Sequence, residues 1–306
     1  MAKPTFKEKL LNKPIVVKTI DNAKAVALPG FEGLTLYEVG YFFFVEMGKS
    51  SITTRSSAVA FKFFLAIFPA IIFLFSLIPH LPVADLHQQL LIQMKAVLPT
   101  NAYESGVETI NDLVSNQHNG LLSFGFLVTL YFSTNGISAL MEAFNQAMHA
   151  AETRSFIKER LISIFLFIVL SVLLLTASLL IIFSEVALDY MISRGLLISG
   201  SLEIILLTFG KWSVVLLLLF TAISLLYYFG PVNSKKYDLI SPGAILATVL
   251  SIVASVLFSY YVNNFGTYNK VYGSIGTLMV VMLWLEFNCL IILIGFDLNA
   301  KIYNRV

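Results

Sequence analysis

RLISIFLFIVLSVLLLTASLLIIF, residues 160–183, carries one charge, at its first position, and neither proline nor glycine. A helix needs about 20 mostly apolar residues to cross roughly 30 Å of hydrocarbon, so this stretch predicts a membrane span. Outward from it lie five more windows of the same kind, at 58–79, 121–140, 212–229, 240–263 and 275–299. Lipid offers the backbone no hydrogen-bond partners, so each window predicts a helix, and none alternates as a membrane-barrel strand would. The expected fold class is an all-α membrane protein, a six-transmembrane helical bundle. Residues 1–57 form its cytoplasmic and interfacial N-terminal segment, 58–299 the membrane domain and 300–306 a cytoplasmic tail.

Composition points the same way. The 306 residues are 58% hydrophobic and only 12% charged, with a mean hydropathy of +0.83, whereas an ordinary globular chain carries about 25% charged residues. A soluble core of this size cannot hide that excess. Cys289 is the single cysteine, which rules out an intramolecular disulfide or a thiolate metal cluster. The net charge of +2 gives no general affinity for nucleic acid. Membrane lipids are the expected partners, no cofactor is expected, and self-association is left open.

The first 57 residues read as basic and polar, without a cleavable signal. Within them, LTLYEVGYFFFVEMG (residues 34–48) is aromatic but short and interrupted by Glu38 and Glu46, so it is expected to lie on the membrane surface as an amphipathic helix. Lysine and arginine orient the bundle. Fifteen fall in the N-terminal segment, the connections after the second and fourth spans and the tail; the opposite connections hold four, Lys95, Arg194, Lys211 and Lys270, and Lys62 lies inside the first span. Both termini are therefore expected in the cytoplasm. The connection 80–120 recurs apolar residues at three and four, which predicts two amphipathic helices on the outer side.

Inside the spans, three features stand out. Gly243, Ala247, Ser251, Ser255 and Ser259 are small and spaced by four, a seam along which helices can approach closely; the same seam could instead floor a substrate groove. Ionisable groups cost a few kcal/mol at mid-bilayer unless paired or watered, and Lys62, Glu286 and Asp297 occupy such positions. Lys62 can snorkel to the cytoplasmic headgroups, but Glu286, near the middle of the sixth span, must face other helices or a cavity. On the second span, Asn135, Ser138, Glu142, Asn145 and His149 share one face. Either that helix continues into the cytosol, or Asn135, Glu142 and Asn145 line a polar cavity with Lys62 and Glu286. Pro69 lies mid-span and is expected to kink its helix.

Other chemistry is missing. The GSIG at 273–276 has no histidine deep in a span to make it a nucleophile elbow. His80, Asp85 and His87 have a weak metal-ligand spacing, so no metal is expected. There is no phosphate loop and no dinucleotide fingerprint, nor the clustered acids and basic surface of a nuclease.

Several stretches carry a resemblance: AFKFFLAIFPAIIFL (60–74), the run from Gly136 through ALMEAFNQAMHAAETRSFIKERL (139–161), SPGAILA (241–247), YYVNNFGTYNKVYGSIGTLMVVMLWL (260–285) and GFDLNAKI (295–302). In this order and spacing the chain resembles the YihY/BrkB family of bacterial inner-membrane proteins, formerly labelled ribonuclease BN. The resemblance implies a six-helix bundle with cytoplasmic termini in the inner membrane. It also implies pattern residues, among them Phe68, Pro69, Asn145, Glu152, Arg154, Phe156, Arg160, Pro242, Gly243, Tyr261, Tyr268, Asn269, Tyr272, Gly273, Gly276, Trp284, Gly295, Asp297 and Asn299, and no catalytic role. Lys62 and Glu286 depart from the family's apolar or aromatic choices. Two functions are expected to compete, a transporter or lipid-handling protein and a non-transporting envelope scaffold. A ribonuclease follows only from the old label, and an enzyme is not expected.

Overall fold

A computed structural model describes residues 14–28, 31, 33–77, 119–195, 202–232, 238–264 and 274–303. Eight helices occur there: α1 (Pro14–Ala25), α2 (Leu36–Met47), α3 (Ser50–Leu77), α4 (Asn119–Ala147), α5 (Phe156–Ser193), α6 (Leu202–Phe229), α7 (Pro242–Asn264) and α8 (Ser274–Tyr303). Strands are absent among the described residues, apart from one isolated bridge between Ala27 and Thr35.

Local chemistry sets the helix ends. Thr35 caps α2 in a capping box, its hydroxyl accepting from the Glu38 N–H while the Glu38 carboxylate accepts from the Thr35 N–H, so two otherwise orphan donors are satisfied. Ser155 caps α5 by accepting from the Lys158 N–H. α7 starts at Pro242, whose missing N–H costs nothing in a first turn, and Ser241 accepts from the Ala244 N–H. α5 stops at Arg194, followed by Gly195 with φ +69°, a left-handed position that glycine adopts without strain.

Five helices among the described residues are long and apolar enough to cross a membrane: Phe124–Ala147, Phe156–Ser193, Leu202–Phe229, Pro242–Val262 and Leu278–Tyr303. α3 is not one of the five. It begins eight residues ahead of the predicted window, with the polar run SSITTRSS, so a helix that was expected to start with its apolar residues starts instead at Ser50. Similarly, α6 begins ten residues before Trp212, which puts Lys211 inside a helix, 3.5 Å from Glu185 of α5. α2 covers 36–47 of the stretch 34–48, with Val39, Phe42 and Glu46 buried and Tyr41 and Phe44 exposed. The two helices expected in 80–120 lie outside the described residues.

α3 packs between α4 and α8, α7 lies on α8, and α5 and α6 pair with each other while touching α4 and α7. The starts of α3, α5 and α7 and the ends of α2, α4, α6 and α8 share one end, called here the basic end. The core sits toward it. Phe144 stacks on Phe296 at 4.2 Å, and Tyr227 meets both edge-on at 5.6 and 5.4 Å while its hydroxyl donates to the Ile292 carbonyl at 2.6 Å. Beyond Leu166 in α5, and before Ile223 in α6, no residue is buried. Such bare apolar helices are stable where the solvent is lipid, because lipid tails are as apolar as leucine.

Candidate functional site

A cavity of about 860 Å³ opens at the basic end, walled by Phe42 and Glu46 of α2, Lys49 in the link that follows, Ser51, Thr54 and Arg55 of α3, Gln146 and Ala147 of α4, His149, and Asp297, Ala300 and Lys301 of α8. Arg55 organises it. Its Nη1 donates to the Ala143 carbonyl at 2.9 Å, its Nη2 to Asp297 Oδ2 at 3.0 Å and its Nε to the Ser51 carbonyl at 3.4 Å, so one guanidinium joins α3, α4 and α8. Ala143 lies in the last turns of α4, where carbonyl dipoles favour a cation. Arg55 and Asp297 are 15% and 12% exposed, dry enough that loss of either strands a charge.

Beside that pair, Lys49 Nζ meets Glu46 Oε1 at 2.6 Å, and Lys301 Nζ stands 4.9 Å from the centre of the Phe42 ring, a cation–π contact. Asp297 Oδ1 is buried with no donor. His149 holds φ at +52° just past the end of α4, the left-handed position where glycine or asparagine is usual.

Gln146 also walls a smaller cavity of about 350 Å³ with Glu142, Asn145, Ala150, Glu152 and Glu159. Here Glu152 is the hub. Its carboxylate accepts from the Arg154 N–H at 2.9 Å, from Arg154 Nε and Nη2 at 2.8 Å and from Asn145 Nδ2 at 2.8 Å. Asn145 Oδ1 in turn accepts from the Val232 N–H, and Arg154 Nη2 from its other side donates to the Gly230 carbonyl. The end of α4, the 148–155 turn and the end of α6 are thereby fastened together. The Arg154 guanidinium, against the opposing effect of burial, holds the Glu152 carboxyl below the usual carboxylate value, with the Asn145 amide adding to it.

The residues expected to share a cavity take separate partners. Asn135 Oδ1 accepts from Arg160 Nη1 at 2.7 Å across α4 and α5, and Glu142 Oε1 accepts from Gln146 at an exposed site. Glu286 Oε1 accepts from Ser57 Oγ at 2.5 Å across α8 and α3. Lys62 is half-buried on α3, and none of Lys62, Asn135 and Glu286 walls either basic-end cavity. The small-residue seam divides. Gly243, Ala247 and Ser251 are buried, while Ser255 and Ser259 are exposed. At Gly243 a Cβ would strike the Gly295 carbonyl oxygen, and at Gly295 one would meet Tyr227 Oη at 2.5 Å and Ala247 Cβ at 2.8 Å, so α7 and α8 touch backbone to backbone. Asn299, fully buried, accepts from the Gly243 N–H at 2.7 Å and donates to Ser241 Oγ at 2.8 Å. Pro69 lies within α3 and Trp284 is 41% exposed on α8. Tyr268, Asn269, Tyr272, Gly273, His80, Asp85 and His87 lie outside the described residues.

The sequence reading missed Arg55, Glu46, Lys49 and Lys301 as site residues. Arg55 and Asp297 are 242 positions apart, and only their shared place at span ends on the basic side could have joined them.

Comparison with known proteins bears on the same regions. The profile of the family described as virulence factor BrkB matches residues 43–306. The chain belongs to that family. Among curated relatives, the putative ribonuclease-like protein YfkH of Bacillus subtilis is 33% identical over 82% of this chain and 90% of its own length. A UPF0761 membrane protein of Haemophilus influenzae is 24% identical over 88% of this chain and 96% of its own. No solved structure matches. The BrkB match begins within α2, so it takes in every residue of the larger cavity but Phe42. With five apolar helices, the chain is a membrane protein of the BrkB family.

Proposed function

We propose that this BrkB-family protein crosses the bacterial inner membrane six times, with both ends cytoplasmic, and handles an amphiphile or solute through its basic-end cavity. The observation that carries the reading is a charged chamber of about 860 Å³ in a bundle whose α5 and α6 faces are apolar. Small-molecule sites commonly enclose about 300–1,000 Å³, so the space suits a headgroup or metabolite. α3 serves as the first of the six spans, in addition to the five apolar helices: its 28 residues extend about 42 Å at 1.5 Å per residue. Fifteen basic residues against four favour the basic end as cytoplasmic. Asn145 and Glu142 serve this function through the adjoining cavity, while Lys62, Asn135 and Glu286 contribute from within the bundle.

Blocking the chamber tests the reading. Gln146→Trp and Thr54→Trp fill it from exposed wall positions, with Ser255→Trp as a control outside it. In cells lacking the native protein, the two wall variants are expected to leave the lipid and solute profile of the envelope as in the deletion, while the control restores it. Full restoration by the wall variants, or no difference between deletion and parent, contradicts the reading.

A scaffold role is favoured by the pairing of span side chains, as in Asn135 with Arg160, Ser138 with Ser163 and Glu286 with Ser57. Against it stand the chamber and the buried, unsatisfied Thr129 Oγ1, Ser224 Oγ and Asp297 Oδ1. The ribonuclease reading rests on the name of the Bacillus relative, and no three His, Cys, Asp or Glu among the described residues are grouped to hold a metal.

A further inference from the structure

The charges around the large cavity are unequally committed. Arg55 is matched by Asp297 and Lys49 by Glu46. Lys301 has no ion pair among the described residues, only the face of Phe42. Lys49 remains 52% exposed despite its partner, so its ammonium, with three donors, is open to a second acceptor. On the opposite account, Asp297 Oδ1 is a buried acceptor that no protein group serves. Buried acceptors are nearly always satisfied, and an exception calls for an explanation. A water or a ligand donor would supply one.

An occupant that answers both imbalances carries an anionic group for Lys301 and Lys49 and a hydrogen-bond donor for Asp297. Lysine binds phosphate as a point charge without demanding a fixed fork geometry, and the cavity is far larger than a lone ion requires. We propose that it binds a phosphate ester bearing a hydroxyl or ammonium on the same headgroup, with the phosphate against Lys301 and Lys49 and the donor against Asp297 Oδ1. This rests on the reading of the cavity as a ligand chamber and names the class of ligand. The exposed hydroxyl side of the wall, Ser51 and Thr54, lies where the remainder of a polyol would sit.

The test uses the purified full chain in detergent, titrated calorimetrically with dioctanoyl phosphatidylglycerol, dioctanoyl phosphatidylcholine and glycerol 3-phosphate. Phosphatidylglycerol carries both groups, whereas the quaternary ammonium of phosphatidylcholine donates nothing, so the first is expected to bind at least tenfold more tightly. Binding of glycerol 3-phosphate as well assigns a soluble source; its failure beside the bound lipid assigns a lipid headgroup, and both outcomes uphold the class. Lys301→Ala, at the exposed end of α8, is expected to weaken phosphatidylglycerol about tenfold without moving the unfolding temperature. Asp297→Asn, which can turn a donor into the chamber, is expected to erase the preference over phosphatidylcholine. Equal affinity for the two lipids, or an unchanged Lys301→Ala protein, overturns the ligand class. If Gln146→Trp still abolishes function in cells, the chamber survives that result; if it does not, both fall.

Discussion

Glu152 illustrates what one side chain does at the basic end. Four hydrogen bonds, three from Arg154 and one from Asn145, converge on its carboxylate, and its pKa is depressed on folding. A depressed carboxyl stabilises the fold above its unfolded pKa and loses that contribution as pH falls through the folded one. Glu152→Gln is therefore expected to lower stability by about 1 kcal/mol at neutral pH, the scale of a partly exposed ion pair. In detergent, the gap in unfolding temperature from the native protein should close as pH drops below the ordinary carboxylate value. A gap independent of pH would mean that the carboxylate charge contributes nothing. Glu152, Arg154 and Asn145 crowd into ten residues, and the family resemblance named all three without giving their contacts. Arg55 was counted only as one of the N-terminal cations, since spacing says nothing about a partner on a helix formed 242 residues later.

At the scale of elements, the contact of α7 with α8 depends on the absence of side chains. Gly243 and Gly295 let the two backbones meet, and Asn299 then reaches the Gly243 N–H. Gly243→Ala places a methyl against the Gly295 carbonyl, and overpacking of this kind costs about 1–3 kcal/mol. Its unfolding temperature in detergent is expected to fall, whereas Ser255→Ala, on the exposed continuation of the same row, should stay within about 0.5 kcal/mol of the native protein. Equal effects would remove the seam from the account. The spacing of four showed where close approach was available, but not where it stops. Burial of the row ends at Ser251, although α7 and α8 still flank a common groove as far as Tyr261 and Leu283, and that end point depends on crossing geometry, which one helix does not encode. Helix starts were misplaced for a related reason. Hydropathy marks where lipid begins, but α3 and α6 continue past that boundary because their backbone bonds need no apolar side chains.

The whole molecule is polarised. Among the described residues, the aromatic core and both charged cavities gather at the end that holds the basic connections, while α5 and α6 present bare apolar faces. Hydropathy made five of the expected apolar helices readable, because it is a property of single segments. The site was not readable, because it is assembled from α2, α3, α4 and α8, and their neighbourhood is a property of the packed bundle. The proposed function requires that the large chamber be open to the cytoplasm. The sole cysteine makes a direct measurement simple. In a Cys289→Ala background, a cysteine at Gln146 can be challenged with a membrane-impermeant maleimide in vesicles of each orientation. Labelling is predicted in inside-out vesicles only; labelling from the outer side, or none in either orientation, would contradict the account.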